Sequence, residues 1–247
     1  PDKVIGEPPA DILKVLGIGT ASLANVAQPG NTVEPTPYEL FYQFESETTQ
    51  TNHNNDWSPG NNWVNGSSAV DGTYWGRDSN KTVKGWNLDS GSTPSGGSAG
   101  TTTGPSNGVD VSDGSHASGT KYMYTEVSSS KHTHCFVARM PAFNSSNMVN
   151  SGNNLDLKFW VHAFGSQIGD LYVYLSATAS SRHIFATELA AYESFSGYTA
   201  SSSVWQQKTI SLNSYRTGVD YYIYFVSQNA TGFRGDLAID GVQIIES

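Results

Sequence analysis

The chain has 247 residues, with 13 Lys and Arg against 22 Asp and Glu, a formal net charge of −9, and 14% charged residues where about 25% is usual. Phosphate binding needs clustered Lys and Arg, so the balance argues against nucleic acid as a partner, and no apolar run reaches the roughly 18–20 residues of a membrane-spanning helix. Polarity comes instead from Ser, Thr, Asn and Gly, which favour turns and strands over helices, while a 37% hydrophobic fraction supplies enough apolar surface for a sizeable core and excludes wholesale disorder.

Residues 1–37 read as an arm or linker. Pro8-Pro9, Pro29-Gly30 and Pro35-Thr36-Pro37 punctuate one apolar stretch whose Ile12, Leu13, Val15, Leu16 and Ile18 bury little on their own. They are the candidate contacts of an arm that docks on a protein partner, with a flexible leader or a single edge strand as the alternative. No succession of charged, apolar and cleavage-site residues opens the chain, so no signal peptide is visible.

From Tyr38 to Ser247 short alternating runs are separated by Gly, Ser and Asn clusters. Strands are expected over Glu39–Glu45, Lys121–Val127, His134–Met140, Gln206–Leu212 and Tyr221–Ser227. Leu155, Leu157, Phe159 and Val161 alternate with Asp156, Lys158, Trp160 and His162, which gives a strand with one apolar face. The same period of two recurs in Leu171, Val173 and Leu175 and in Leu237 and Ile239. Eight or so strands predict an all-β fold, a two-sheet antiparallel sandwich with Greek-key or jelly-roll connections. Residues 87–119 are almost all Ser, Gly, Thr, Pro, Asp and Asn and are expected to form a long surface loop within that domain.

Cys135 is the one cysteine, so no intramolecular disulfide is available and the residue reads as a small buried hydrophobe. His132 and His134 stand two apart and share a face if their segment is extended; with His116 they are a weak zinc set beside the plainer reading of exposed polar positions. No Gly-x-Ser-x-Gly elbow, His-Glu-x-x-His helix or phosphate-binding loop occurs, so catalysis is not expected. Trp57, Trp75 and Trp86 fall in Gly- and Asn-rich stretches. There they either stack on sugar faces and anchor a partner or pack inward; Trp63, Trp160 and Trp205 read as core or sheet-face packing.

Several motifs in order resemble the MAM domain: Phe44-Glu45, Trp63, Gly104-Pro105 ahead of Asp113, Tyr122-Met123-Tyr124, Ala138-Arg139-Met140, the run Leu157–Gly165, Gly169–Leu175, Trp205 and Gly235–Val242. The resemblance spans roughly residues 40–246 and implies a jelly-roll sandwich of the kind found in adhesive and receptor ectodomains, where it mediates protein association rather than catalysis. Two departures stand out. The paired cysteines of the animal pattern are missing, and Gly241 stands where the usual Ile-Asp-Asp-Ile ending has its second Asp.

The resemblance also implies a cation site in which Glu45, Asp113 and Asp240 converge, with Asp110 as an alternative to Asp113. Calcium suits it, because it accepts six to eight oxygens in flexible geometry. The expected function is a non-enzymatic adhesion or assembly module, extracellular or on a virion surface as a capsid decoration, tail or fibre protein. It would dock through residues 1–37 and meet a cell-surface glycan or protein, or a second copy of itself. A carbohydrate-binding module, or an accessory domain of a secreted hydrolase, is the alternative.

Overall fold

The computed structural model describes residues 39–49, 57–60, 62–71, 75, 81–91, 93, 105, 119–128, 131–147, 152–163, 165, 167–179, 181–182, 185–193 and 205–247. The arm positions Ile12, Leu13, Val15, Leu16 and Ile18 lie outside the described residues. The described residues form thirteen strands: β1 (Glu39–Tyr42), β2 (Val64–Asn65), β3 (Val83–Lys84), β4 (Asn87–Ser90), β5 (Lys121–Tyr124), β6 (Cys135–Arg139), β7 (Phe143–Asn144), β8 (Leu155–Ala163), β9 (Asp170–Ser176), β10 (Thr187–Tyr192), β11 (Gln206–Ser211), β12 (Asp220–Gln228) and β13 (Leu237–Glu246). No helix among them is long and apolar enough to cross a membrane.

Two sheets result. One has the order β11-β8-β13-β5-β4 with β1 also on β13; the other has the order β10-β9-β12-β6-β2 with β3 on β6 and β7 on β12. Strand pairing is antiparallel apart from β3 with β6, which gives the expected all-β sandwich. Side-chain alternation then sorts the core. Leu157, Phe159 and Val161 of β8 and Ile239, Val242 and Ile244 of β13 meet Phe136, Ala138, Val173, Leu175, Ile223 and Phe225 of the facing sheet in one buried cluster.

Three expectations change. The predicted loop 87–119 opens with β4, where Asn87 and Leu88 are buried; Leu88 pairs with Met123 and joins the core, which outweighs the loop-like composition around it. The predicted strand through Glu45 stops at Tyr42, and residues 44–47 turn, closed by Glu47 N–H donating to the Phe44 oxygen at 2.9 Å. Lys131–Thr133 is a short 3-10 turn rather than extended, so His132 and His134 do not share a strand face; His116 lies outside the described residues. Cys135 is fully buried, as expected.

Candidate functional site

β13 organises one corner of the sandwich. β8 takes one of its edges, so β5, paired at Ala238 and Ile239, and β1, paired from Val242 to Ile245, run end to end along the other. Asp240 and Gly241 stand at the gap between them, where the register with β8 also shifts. Gly241 has φ +55°, a left-handed conformation that suits glycine and disfavours a second Asp.

The turn after β1 bridges that gap. The Glu45 carboxylate accepts from Thr120 N (2.7 Å) and Lys121 N (2.8 Å) through Oε1 and from Thr120 Oγ1 (2.7 Å) through Oε2. The Lys121 ammonium reaches back to donate to the main-chain oxygens of Glu45 (2.7 Å) and Glu47 (2.5 Å). Glu47 in turn accepts from Gly60 N at 2.8 Å, tying the turn to the segment that carries Trp57.

Asp240 is buried and its Oδ1 accepts from Gly241 N at 2.7 Å. Asp113 and Asp110 lie outside the described residues. Among the described residues no three His, Cys, Asp or Glu side chains come together in a way that would hold a metal ion. The described part of the expected calcium set fits such an ion poorly. Both Glu45 carboxylate oxygens already accept from protein donors, and an ammonium holds the nearby carbonyls.

The tryptophans are corrected by the structure. Trp57, Trp75 and Trp86 are 3%, 0% and 0% exposed, so none offers a ring face to a sugar. An aromatic ring removes about 150–250 Å² from water when buried, at roughly 25 cal/mol per Å², which favours the inward placement of these rings. Phe44 meets Trp57 and Trp63 edge-on with centroids 5.4 and 5.6 Å apart, and Trp63 stacks on Phe225 at 6.2 Å. On the far side of the second sheet, Trp75 stacks on Tyr224 at 5.3 Å and donates from Nε1 to the Ser181 oxygen at 2.9 Å.

Asn65 holds the Trp57 and Trp86 segments together. Asn65 Nδ2 donates to the main-chain oxygens of Trp57 (2.8 Å) and Trp86 (2.7 Å), while its Oδ1 accepts from Trp86 N at 2.8 Å. Its only signal was the Asn65-Gly66-Ser67 sequon, which points outward to a glycan rather than inward to a clasp. Beside it lies an open cavity of about 290 Å³ walled by Trp57, Trp63, Asn65, Ser58, Ser67 and Ser68. This is the lower end of the roughly 300–1,000 Å³ range of small-molecule pockets, so it has room only for a small ligand.

Each outer sheet face carries a buried aromatic cluster, while Asp156, Lys158 and Trp160 on the outer side of β8 are half-buried. Trp75, Val83, Tyr172, Tyr174, Tyr224 and neighbours form a buried cluster on one, and Tyr122, Tyr124 and Ala238 with Trp205 packed against them form another. Tyr122 Oη donates to the Gly91 oxygen. Burial pushes the Tyr122 and Tyr124 hydroxyls far above the ordinary phenol value, reinforced by Asp89 and Asp236 near Tyr122 and by Glu126, Asp236 and Asp89 near Tyr124.

The MAM domain, meprin/A5/mu, matches residues 43–247. Among solved structures, 84 chains match. The K1 cleaved adhesin domain of Lys-gingipain from Porphyromonas gingivalis W83 is similar at 18% identity and TM-score 0.47, over 84% of this chain and 97% of that one. The CBM22-1 xylan-binding domain of Paenibacillus barcinonensis Xyn10C is similar at 13% identity and TM-score 0.39, over 86% and 97%. CBM27-1 of Caldicellulosiruptor saccharolyticus, solved with mannohexaose, is similar at 11% and 0.39, over 85% and 97%. The chain belongs to the MAM family.

Proposed function

We propose that this MAM domain is an extracellular, non-catalytic adhesion module that recognises a protein partner through its loops and sheet edges, and joins a larger assembly through residues 1–37. A virion shell, tail or fibre is the specific assembly we favour. The observation that carries the reading is the buried aromatic cluster that the chain's own side chains form on each outer sheet face. A long polysaccharide is commonly held on a row of exposed rings; here the described sheet faces offer only half-buried ones such as Trp160, whereas Phe185 and Phe233 stand 70% and 50% exposed on loops. The test compares the full chain with a variant starting at Tyr38. Both should be folded monomers by circular dichroism and sedimentation, and only the full chain should join its assembly; equal incorporation of the truncated chain would overturn the docking role.

A second reading rests on the 290 Å³ cavity. The three serines that line it, Ser58, Ser67 and Ser68, suit hydrogen bonding to a single sugar ring at a chain end rather than to an extended glycan. A glycan array decides between the two: a signal abolished by Ser68→Tyr, which would fill the cavity, supports recognition of a terminal sugar.

A further inference from the structure

We infer that the Lys121 ammonium is the resident cation of the β1–β5 junction, beside the Glu45 that the resemblance made a calcium ligand, and that the domain keeps its fold independently of divalent ions. The argument is one of ligands. Calcium is held by carboxylates together with main-chain carbonyls, and the turn 44–47 supplies that kind of set: the Glu45 carboxylate and the carbonyls of Glu45 and Glu47. The protein's own donors already hold all of it. Lys121 Nζ lies 2.7 and 2.5 Å from the two carbonyl oxygens, and Lys121 N, Thr120 N and Thr120 Oγ1 lie 2.7–2.8 Å from the carboxylate.

Lys121 is therefore clamped at two points on one residue, its amide on the Glu45 side chain and its ammonium on the Glu45 main chain. Its Cα is fixed besides, because it opens β5 and faces Ser90 of β4. A divalent ion on the same two carbonyls would have to evict the ammonium, since two cations do not share those oxygens. The amine brings its charge covalently attached, so the strand junction forms with no ion taken from the medium. This inference stands apart from the adhesion reading, and either can fail alone.

The test uses the full chain. Terbium, whose emission is sensitised by nearby indoles such as Trp57 and Trp63, should give no saturable luminescence, and melting temperatures in calcium chloride and in EDTA should agree within about 1 °C. Lys121→Met, which keeps the stem and loses the charge, should lower the melting temperature by about 5 °C. Should that variant fail to fold, limited reductive methylation of the unaltered chain, read by peptide mass spectrometry, replaces it; Lys121 should label about tenfold more slowly than the partly exposed Lys158. Saturable terbium emission, a calcium-dependent rise in melting temperature, unchanged melting of Lys121→Met, or equal labelling of the two lysines would each overturn the inference.

Discussion

A Cβ built on Gly235 would stand 2.3 Å from the main-chain oxygen of Gln167, so the loop before β13 lies directly on the loop before β9. Gln167 is the hub of this contact. Its amide donates to the Arg234 oxygen at 3.1 Å, its oxygen accepts from Thr231 N at 3.0 Å, and its Oε1 accepts from Arg234 N at 3.1 Å. Gly169 repeats the constraint, with a Cβ position 2.2 Å from the Gln228 oxygen. The obstacles are main chain and do not yield as a flexible side chain would. Gly235→Ala and Gly169→Ala should each cost about 1–3 kcal/mol, as overpacking does, and lower the melting temperature by roughly 3–10 °C. Melting within 1 °C of the unaltered chain would show that the loops part freely.

These glycines show what was legible in the sequence and what was not. Gly169-Asp170 and Gly235-Asp236 were visible as motifs, yet their reason, a close approach of two loops 66 residues apart in sequence, exists only in three dimensions. The long strand β8 was readable because it has a period of two and buries the apolar half, whereas β9, β12 and β13 are rich in Val, Ile, Leu, Phe and Tyr and are buried at most positions on both faces. β2, β3 and β7 are two residues long and carry no period. β4 was hidden because Asn87, Asp89 and Ser90 resemble loop, and only Leu88 facing the core marks it as a strand. At the corner, Glu45 reads as a ligand for a cation from outside; that the Lys121 ammonium donates to the carbonyls of its turn was not legible, because nothing local distinguishes Lys121 from any lysine at a strand start. The tryptophans misled for a related reason: Gly and Asn neighbours signal a turn, but not which side of it the ring takes.

Asn65 should be the most sensitive polar residue in the described part of the domain. Asn65→Ala removes three hydrogen bonds and takes the Asn65 partner from the Trp57 carbonyl and the Trp86 amide, while the Trp86 carbonyl keeps the Trp57 N–H at 2.9 Å; each buried group left unmet costs about 1–3 kcal/mol, reduced where water enters. A loss of about 2–4 kcal/mol is expected. Asn65→Asp has the same shape but sets a carboxylate against two carbonyl oxygens, so it should be worse than Ala. Urea titration checks the order, with the midpoint falling and the slope unchanged.

Exposed and buried aromatics should separate stability from recognition. Trp75→Ala opens a cavity beneath Tyr174 and Tyr224 and should cost about 3–5 kcal/mol. Phe185→Ser and Phe233→Ser alter loop surface and should change stability by no more than about 0.5 kcal/mol. If the loops carry recognition, those two variants should weaken cell or partner binding while melting normally. Undiminished binding by the double variant would move the contact surface to the sheet edges.

The buried tyrosines set an alkaline limit. Burial holds the Tyr122 and Tyr124 hydroxyls neutral in the folded domain far above the ordinary tyrosine value, with Asp89, Asp236 and Glu126 opposing a further negative charge; Tyr224 shifts the same way, chiefly through burial. In the unfolded chain they ionise near pH 10. Above that pH the unfolded state has fewer bound protons than the folded one, so stability falls as pH rises, by up to about 1.4 kcal/mol per pH unit for each such tyrosine. The stabilisation is complete below the unfolded value and is lost on the alkaline side. These groups should contribute no slope to the melting temperature between pH 7 and 9, and a steep fall above about pH 10. Absorbance at 295 nm should show the buried phenolates appearing only together with unfolding. Tyr124→Phe should flatten the alkaline fall relative to the unaltered chain, and an unchanged slope would mean that Tyr124 meets solvent before the domain opens.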